Sequence, residues 1–195
     1  AAAQADAILT SGGASAGEAD HLRSTLAPLG DAAFWRIAMR PGRPLAVGRI
    51  RHDKISIKTA SSALHISASS YQNNSFLSTD HTLLFGLPGN PVAAMVSFLA
   101  FVRPALLRLV GSPQAPAPLL RATSTERLHK KPGRTEYQRA WVSTAADGTL
   151  QVRTTGHQGS GVLSSMVQAN GLIVLAHEQG DVAAGDAVSV MLLEG

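Results

Sequence analysis

Residues 82–97, TLLFGLPGNPVAAMVS, decide how this chain folds. The apolar run at 82–85 reads as a strand. The turn Gly86-Leu87-Pro88-Gly89-Asn90-Pro91 ends it: Pro88 and Pro91 stiffen the backbone, and Gly89 allows a sharp bend. Asn90 is placed to cap a helix and Pro91 to occupy its first position, where a missing N–H costs nothing. An apolar helix over 92–110 is expected to follow, kinked or divided by Pro104. Strand, turn and helix in this order build α/β folds. A rigid helix start without large side chains suits close approach of a ligand, and it is equally a good structural cap.

The N-terminal end repeats the design. Residues 5–10, ADAILT, read as a strand, and Ser11-Gly12-Gly13-Ala14-Ser15-Ala16-Gly17 as a loop of small residues. A helix is expected from Glu18 or Ala19, with Leu22, Leu26 and Leu29 on one face, weakened at Pro28 and stopped at Gly30. Gly12, Gly13 and Gly17 let backbone N–H groups come close to a ligand, while Ser11 and Ser15 add hydroxyl donors. Such a loop binds an anion at the carboxyl end of a strand, or is a tight turn that needs small residues. The spacing leaves both open, since it is neither a Walker loop nor a dinucleotide fingerprint. Glu18 and Asp20 suit the helix dipole, and equally a hydrated magnesium ion beside a phosphate.

Between these units, strands are expected over 34–39 and 45–50, flanking the turn Arg40-Pro41-Gly42-Arg43-Pro44. On one strand Arg36 and Arg40, four residues apart, project to the same side. Two guanidiniums on one face repel unless they are solvated or bridged by an anion, and arginine suits bidentate contact with oxyanions. A solvated basic edge is the alternative. Residues 51–81 are rich in serine and weakly periodic. They read as a surface insertion, or as a hairpin around Ile55-Ser56-Ile57.

Residues 112–118, SPQAPAP, form a proline-rich linker. It divides an α/β domain over 1–111 from a small, mostly β domain over 119–195. There strands are expected at 119–124, 136–143, 150–154, 172–175 and 187–193. Asp147-Gly148 makes a hairpin turn, and a short helix lies around 163–168.

Composition narrows the chemistry. With 195 residues, 45% hydrophobic and 15% charged, the chain reads as soluble and globular. A net charge of +4 suits an anionic ligand or simply solubility, and without charge runs or interleaved aromatics nucleic acid is a poor partner. The absence of cysteine removes disulfides, thiolate catalysis and cysteine-ligated metals, and it fits a reducing compartment. The seven histidines share no metal-ligand spacing. Residues 1–7 lack the features of a signal peptide, and the apolar stretch 92–102 is too short to span a bilayer, so a cytoplasmic protein is expected. The chain enters a strand almost at once, which predicts a fragment whose upstream elements lie elsewhere.

Three segments carry a resemblance: residues 10–20 (TSGGASAGEAD), 34–48 (FWRIAMRPGRPLAVG) and 85–97 (FGLPGNPVAAMVS). In this order and spacing they resemble the molybdopterin molybdenumtransferase family, the MoeA-type proteins, and the related C-terminal domain of gephyrin. Residues 131–137 (KPGRTEY), 155–161 (TGHQGSG) and 170–175 (NGLIVL) are similar to the family's last domain. The resemblance implies part of a three-layer α/β/α molybdopterin-binding domain, followed by the family's small β-domain. It implies molybdate insertion into adenylyl-molybdopterin, with a magnesium-dependent cleavage that releases AMP. Asp20, Arg36 and Arg40 would be catalytic, with Asp20 holding Mg2+. Ser11, Gly12, Gly13, Ser15, Gly17, Pro88, Gly89, Asn90 and Pro91 would contact the pterin ligand. Arginine stands at basic positions where many relatives carry lysine. The resemblance also implies a homodimer in the full-length family, with a molybdopterin adenylyltransferase as the upstream partner. Two alternatives stand beside it. One is a non-catalytic molybdopterin-binding or scaffold fragment. The other is an adenylyltransferase-like protein, a class that shares the glycine loop but lacks the trailing β-domain.

Overall fold

The computed structural model describes residues 5–12, 19–52, 81–113, 117–159 and 161–193. The first part runs β1 (Ala7–Ser11), α1 (Ala19–Leu26), β2 (Gly30–Arg36), β3 (Met39–Arg40), β4 (Pro44–Arg51), β5 (His81–Leu87), α2 (Pro91–Ser97) and α3 (Arg103–Leu109). The second part runs β6 (Leu120–Ser124), β7 (Thr135–Thr144), β8 (Leu150–Thr154), α4 (Ser164–Val167), β9 (Gly171–Leu175) and β10 (Ala187–Leu192).

Four strands form the first sheet, in the order β1-β5-β4-β2. β5 is parallel to β1 and antiparallel to β4, which is antiparallel to β2. The two-residue period of β5 sends Leu84 to one face and Phe85 and Leu87 to the other. Leu84 clusters with Leu26 and Ile50, joined by Leu22 of α1, while Phe85 and Leu87 cluster with Leu45 and Val102 from the long helical run. Helices thus cover the sheet on both sides, giving the three layers expected. Gly30 has to be glycine, because a Cβ there would stand 1.8 Å from the Arg49 carbonyl oxygen.

Residues 53–80, which hold most of the serine-rich stretch, lie outside the described residues. They join two adjacent antiparallel strands whose ends, Arg51 and His81, are paired.

Pro104 does not divide the helix. A π-helical turn, Phe98–Val102, lies between α2 and α3, and the Arg103 N–H donates to the Phe98 carbonyl five residues back. The wider turn accommodates a proline that has no N–H and whose ring crowds the carbonyl four residues before it. The helical run from Pro91 to Leu109 therefore spans 19 residues, with a mean hydropathy of 1.7. By length and composition it could cross a membrane, which corrects the sequence reading based on 92–102 alone. Val92, Val96 and Val102 on this run are fully buried in the protein.

The second sheet follows the order β3-β7-β8-β6-β10-β9, and a further pairing of β7 with β9 closes its five longer strands into a small barrel. Ala122, Ala140, Val142, Val152, Ile173, Val188 and Val190 fill it. The strands expected beyond residue 118 are all present. One element was not foreseen: the expected strand over 34–39 ends at Arg36, and the chain resumes as β3 in the other sheet, parallel to β7. Met39, Val96, Met166, Leu172 and Met191 make a core cluster shared by the two parts.

Candidate functional site

The turn after β5 is built as its residues dictate. The Asn90 side chain accepts a hydrogen bond from the Ala93 N–H at 3.2 Å, and Pro91 opens α2. Beside it, Ser11 pairs with Leu87, and the Gly12 N–H donates to the Leu87 carbonyl at 3.0 Å. The ends of β1 and β5 thus lie side by side, with Gly12 next to the start of the proline turn.

The arginine turn meets them from the other direction. Gly42 has φ +99°, and a Cβ there would lie 2.4 Å from Ser97 Oγ, so only glycine lets this turn press onto α2. The Ile37 N–H donates to the Arg43 carbonyl at 2.7 Å and fixes the turn's base. A cavity of about 580 Å³ results, lined by Arg40 and Arg43 from this turn and by Pro88, Gly89 and Asn90 from the other. Arg134 and Gln158 of the second part complete its wall. Among the described residues the lining holds three guanidiniums and no carboxylate, which is the electrostatics of an anion site.

A smaller cavity of about 280 Å³ shares Arg40, Pro41 and Gln158 with the first. Glu136, Gln138, Arg139 and His129 are among its walls. Glu136 is a buried carboxylate that accepts from Arg134 Nε at 2.9 Å. Arg139, at 1% exposure, has no carboxylate partner among the described residues. Its Nε donates to Ser165 Oγ at 3.0 Å, and its terminal nitrogens donate to the carbonyls of His157, Gln158 and Gly159 at 3.1, 3.2 and 2.9 Å. The Gln158 side chain closes the motif, accepting from the Arg139 N–H and donating to the Arg139 carbonyl. Burial pushes the Arg139 guanidinium below the usual arginine value, and the nearby charge of Arg40 adds to that. The same desolvation pushes the Tyr137 hydroxyl up.

The residues named from the sequence are distributed as follows. Arg40, Pro88, Gly89 and Asn90 share one cavity, with Pro91 directly behind it and Ser11 and Gly12 on the adjoining strand end. Gly13, Ser15 and Gly17 lie outside the described residues. Asp20 falls in the first turn of α1, and its side chain lies outside the description. Arg36 is corrected. It ends β2 opposite Pro44, exposed, and is not in the cavity lining. The one-strand argument that aligned it with Arg40 fails because the two residues belong to different sheets. Arg43 belongs to the arginine turn read from the sequence, whereas Arg134, Glu136, Arg139 and Gln158 were not singled out individually. The available signal was that Glu136 and Gln138 share the two-residue period of Ala140 and Val142 on β7, polar groups at positions whose period marks them as inward-facing.

Comparison with known proteins places this arrangement in a class. The chain belongs to the molybdopterin-binding domain family: residues 1–108 match the family described as "Probable molybdopterin binding domain". Residues 121–193 match the "MoeA C-terminal region (domain IV)". Among individual relatives, it is 35% identical over 96% of its length to the molybdopterin molybdenumtransferase of Haemophilus influenzae, of which it covers 39%. It is 31% identical over 97% of its length to gephyrin of Dictyostelium discoideum, of which it covers 26%. In fold it is similar to a molybdopterin biosynthesis MoeA protein from Pyrococcus horikoshii, with a TM-score of 0.62, 22% identity, and coverage of 97% of this chain and 38% of that one. A molybdenum cofactor biosynthesis protein from Pyrococcus furiosus aligns with a TM-score of 0.56 at 25% identity, covering 89% of this chain and 54% of that one. The chain thus spans about two fifths of the first curated relative's length.

Proposed function

We propose that this chain forms the oxyanion- and pterin-binding part of a molybdopterin molybdenumtransferase, which inserts molybdate into adenylyl-molybdopterin with release of AMP. The observation that carries this reading is the convergence of Arg40, Arg43 and Arg134 with the Pro88–Asn90 turn on one cavity. Molybdate is a tetrahedral dianion. Paired guanidiniums hold such a group by charge-assisted hydrogen bonds, while a stiff turn with small residues keeps the neighbouring wall open. Arg139 acts on this wall indirectly, by holding the 157–159 carbonyls that carry Gln158 into both cavities. The loop begun by Ser11 and Gly12, with Gly13, Ser15 and Gly17, is assigned to the ligand's phosphate. Pro91 supports the proline turn, and Asp20 is kept as a catalytic candidate.

Magnesium fits less well. The larger cavity's described lining offers arginines and no carboxylate, and among the described residues no group of three or more histidines and acids could hold a metal. Asp20 remains the candidate ligand, and no step is routed through the ion. The same reading carries a cytoplasmic location, a homodimer in the complete assembly, and supply of substrate by a molybdopterin adenylyltransferase. The match of residues 121–193 to a MoeA region disfavours an adenylyltransferase reading.

The test is AMP release from adenylyl-molybdopterin by the full chain with magnesium, with and without molybdate. Molybdate-dependent AMP release that Arg40→Ala abolishes supports the assignment. Binding of molybdopterin without release supports the non-catalytic alternative. A chain that binds neither molybdopterin nor molybdate refutes both.

A further inference from the structure

The smaller cavity has a chemistry that oxyanion binding does not use. Glu136, on its wall, is 4% exposed. Its Oε1 is engaged by Arg134 at 2.9 Å. Its Oε2 is met by Gln138 Nε2 at 3.5 Å, the outer limit of a hydrogen bond, and that nitrogen already donates to the His129 carbonyl at 3.1 Å. A carboxylate offers about four lone-pair sites, and a buried one left half-filled is costly unless a donor arrives. Arg40 and His129 stand on the same walls as cationic or donor groups.

We propose that this cavity receives the 2-amino-4-oxopyrimidine edge of a pterin. Glu136 accepts from the 2-amino group and N3–H, and Arg40 donates to O4. That edge reads donor, donor, acceptor, and a carboxylate beside a guanidinium is its complement. The volume, about 280 Å³, falls below the roughly 300 Å³ at which sites for drug-sized ligands begin, so it fits a bicyclic head and not a whole nucleotide-bearing ligand. Because Arg40 and Gln158 wall both cavities, a head seated here leaves its anionic tail in the larger one. This inference rests on the reading of a pterin ligand given above and deepens it by naming the residue that selects the head.

The experiment titrates the full chain with 6-hydroxymethylpterin, with the matching lumazine, in which an oxo group replaces the 2-amino group, and with guanosine, whose six-membered ring carries the same edge. Binding is followed by ligand fluorescence, or by competition for guanosine. The unaltered chain is expected to prefer the pterin to the lumazine by about tenfold or more, since the oxo group faces Glu136 in place of a donor. Glu136→Gln should erase this preference. A purely structural Glu136 would instead lower both heterocycles' affinity together and keep their ratio. Equal binding of the two by the unaltered chain, or survival of the preference in Glu136→Gln, overturns the proposal. The preference is read on the unaltered chain, so a variant that fails to fold does not shield it. Failure to bind either heterocycle sinks the functional reading as well, whereas binding without preference sinks this inference alone.

Discussion

Replacing Arg139 with methionine keeps the stem's bulk and removes the guanidinium. Four side-chain hydrogen bonds disappear, to Ser165 Oγ and to the carbonyls of residues 157, 158 and 159. Hydrogen bonds to charged groups contribute about 1.5–3 kcal/mol each, so the gross loss is roughly 6–12 kcal/mol. Against this, the desolvation cost of the buried cation, several kcal/mol, is recovered. His157 and Gly159 are exposed, so their carbonyls regain water and the loss shrinks further. The net destabilisation is about 3 kcal/mol, which lowers the melting temperature of a chain this size by roughly 6–12 °C. Thermal unfolding followed by circular dichroism reads that shift, and hydrogen exchange should show the 155–161 backbone opening first. A shift below about 2 °C, with unchanged exchange there, would refute the view that this one buried cation organises the loop.

Three further outcomes follow from the geometry. Arg40→Ala should weaken molybdate binding by about tenfold or more in calorimetric titration, whereas Arg36→Ala, outside the cavity lining, should change it less than about twofold; equal losses would restore the discarded pairing. Ser97 Oγ is buried without a hydrogen-bond partner, so Ser97→Ala should leave stability unchanged or raise it by about 0.5–1 kcal/mol in urea unfolding, and a clear loss would reveal a partner for that hydroxyl. Asp181 is held down to about 2 by the Lys130 N–H and then by Arg127, and a depressed acid stabilises the fold above its unfolded value near 3.9. The contact between Asp181 and the Arg127–Lys130 segment should therefore weaken only as pH falls from about 4 towards 2; carboxyl titration by NMR with a midpoint near 4 would contradict it.

Short-range chemistry carried much of this fold into view. The cap Asn90, the first-turn Pro91 and the one-sided Leu22, Leu26 and Leu29 mark helices through local rules, and the barrel strands declare themselves by alternation and by the Asp147-Gly148 turn. What stayed hidden depends on pairing between distant segments. Phe34 to Met39 has the composition of one strand, yet β4 pairs only as far as Arg36, and β7 captures Met39 and Arg40. A two-residue period cannot report that a chain changes sheets, so Arg36 was aligned with Arg40 on a face that does not exist. The site shows the same division. Its turns were legible because glycine and proline act locally. Arg134, Glu136, Arg139 and Gln158 required knowledge of which barrel wall faces the arginine turn. The π-helical turn lies between these cases: Pro104 signals a disturbance, but local rules do not say whether the helix widens or breaks.

The two residues of β3 have a consequence for any attempt to dissect the molecule. They sit upstream of the proline-rich connector, yet their backbone belongs to the downstream barrel, with Met39 facing Thr135 and Arg40 facing Glu136. A protease cut within 113–118 would therefore sever the covalent tether and leave a non-covalent clasp holding the halves together. The barrel expressed by itself would present a bare strand edge where Arg40 belongs, and it would lose the guanidinium that both cavities share.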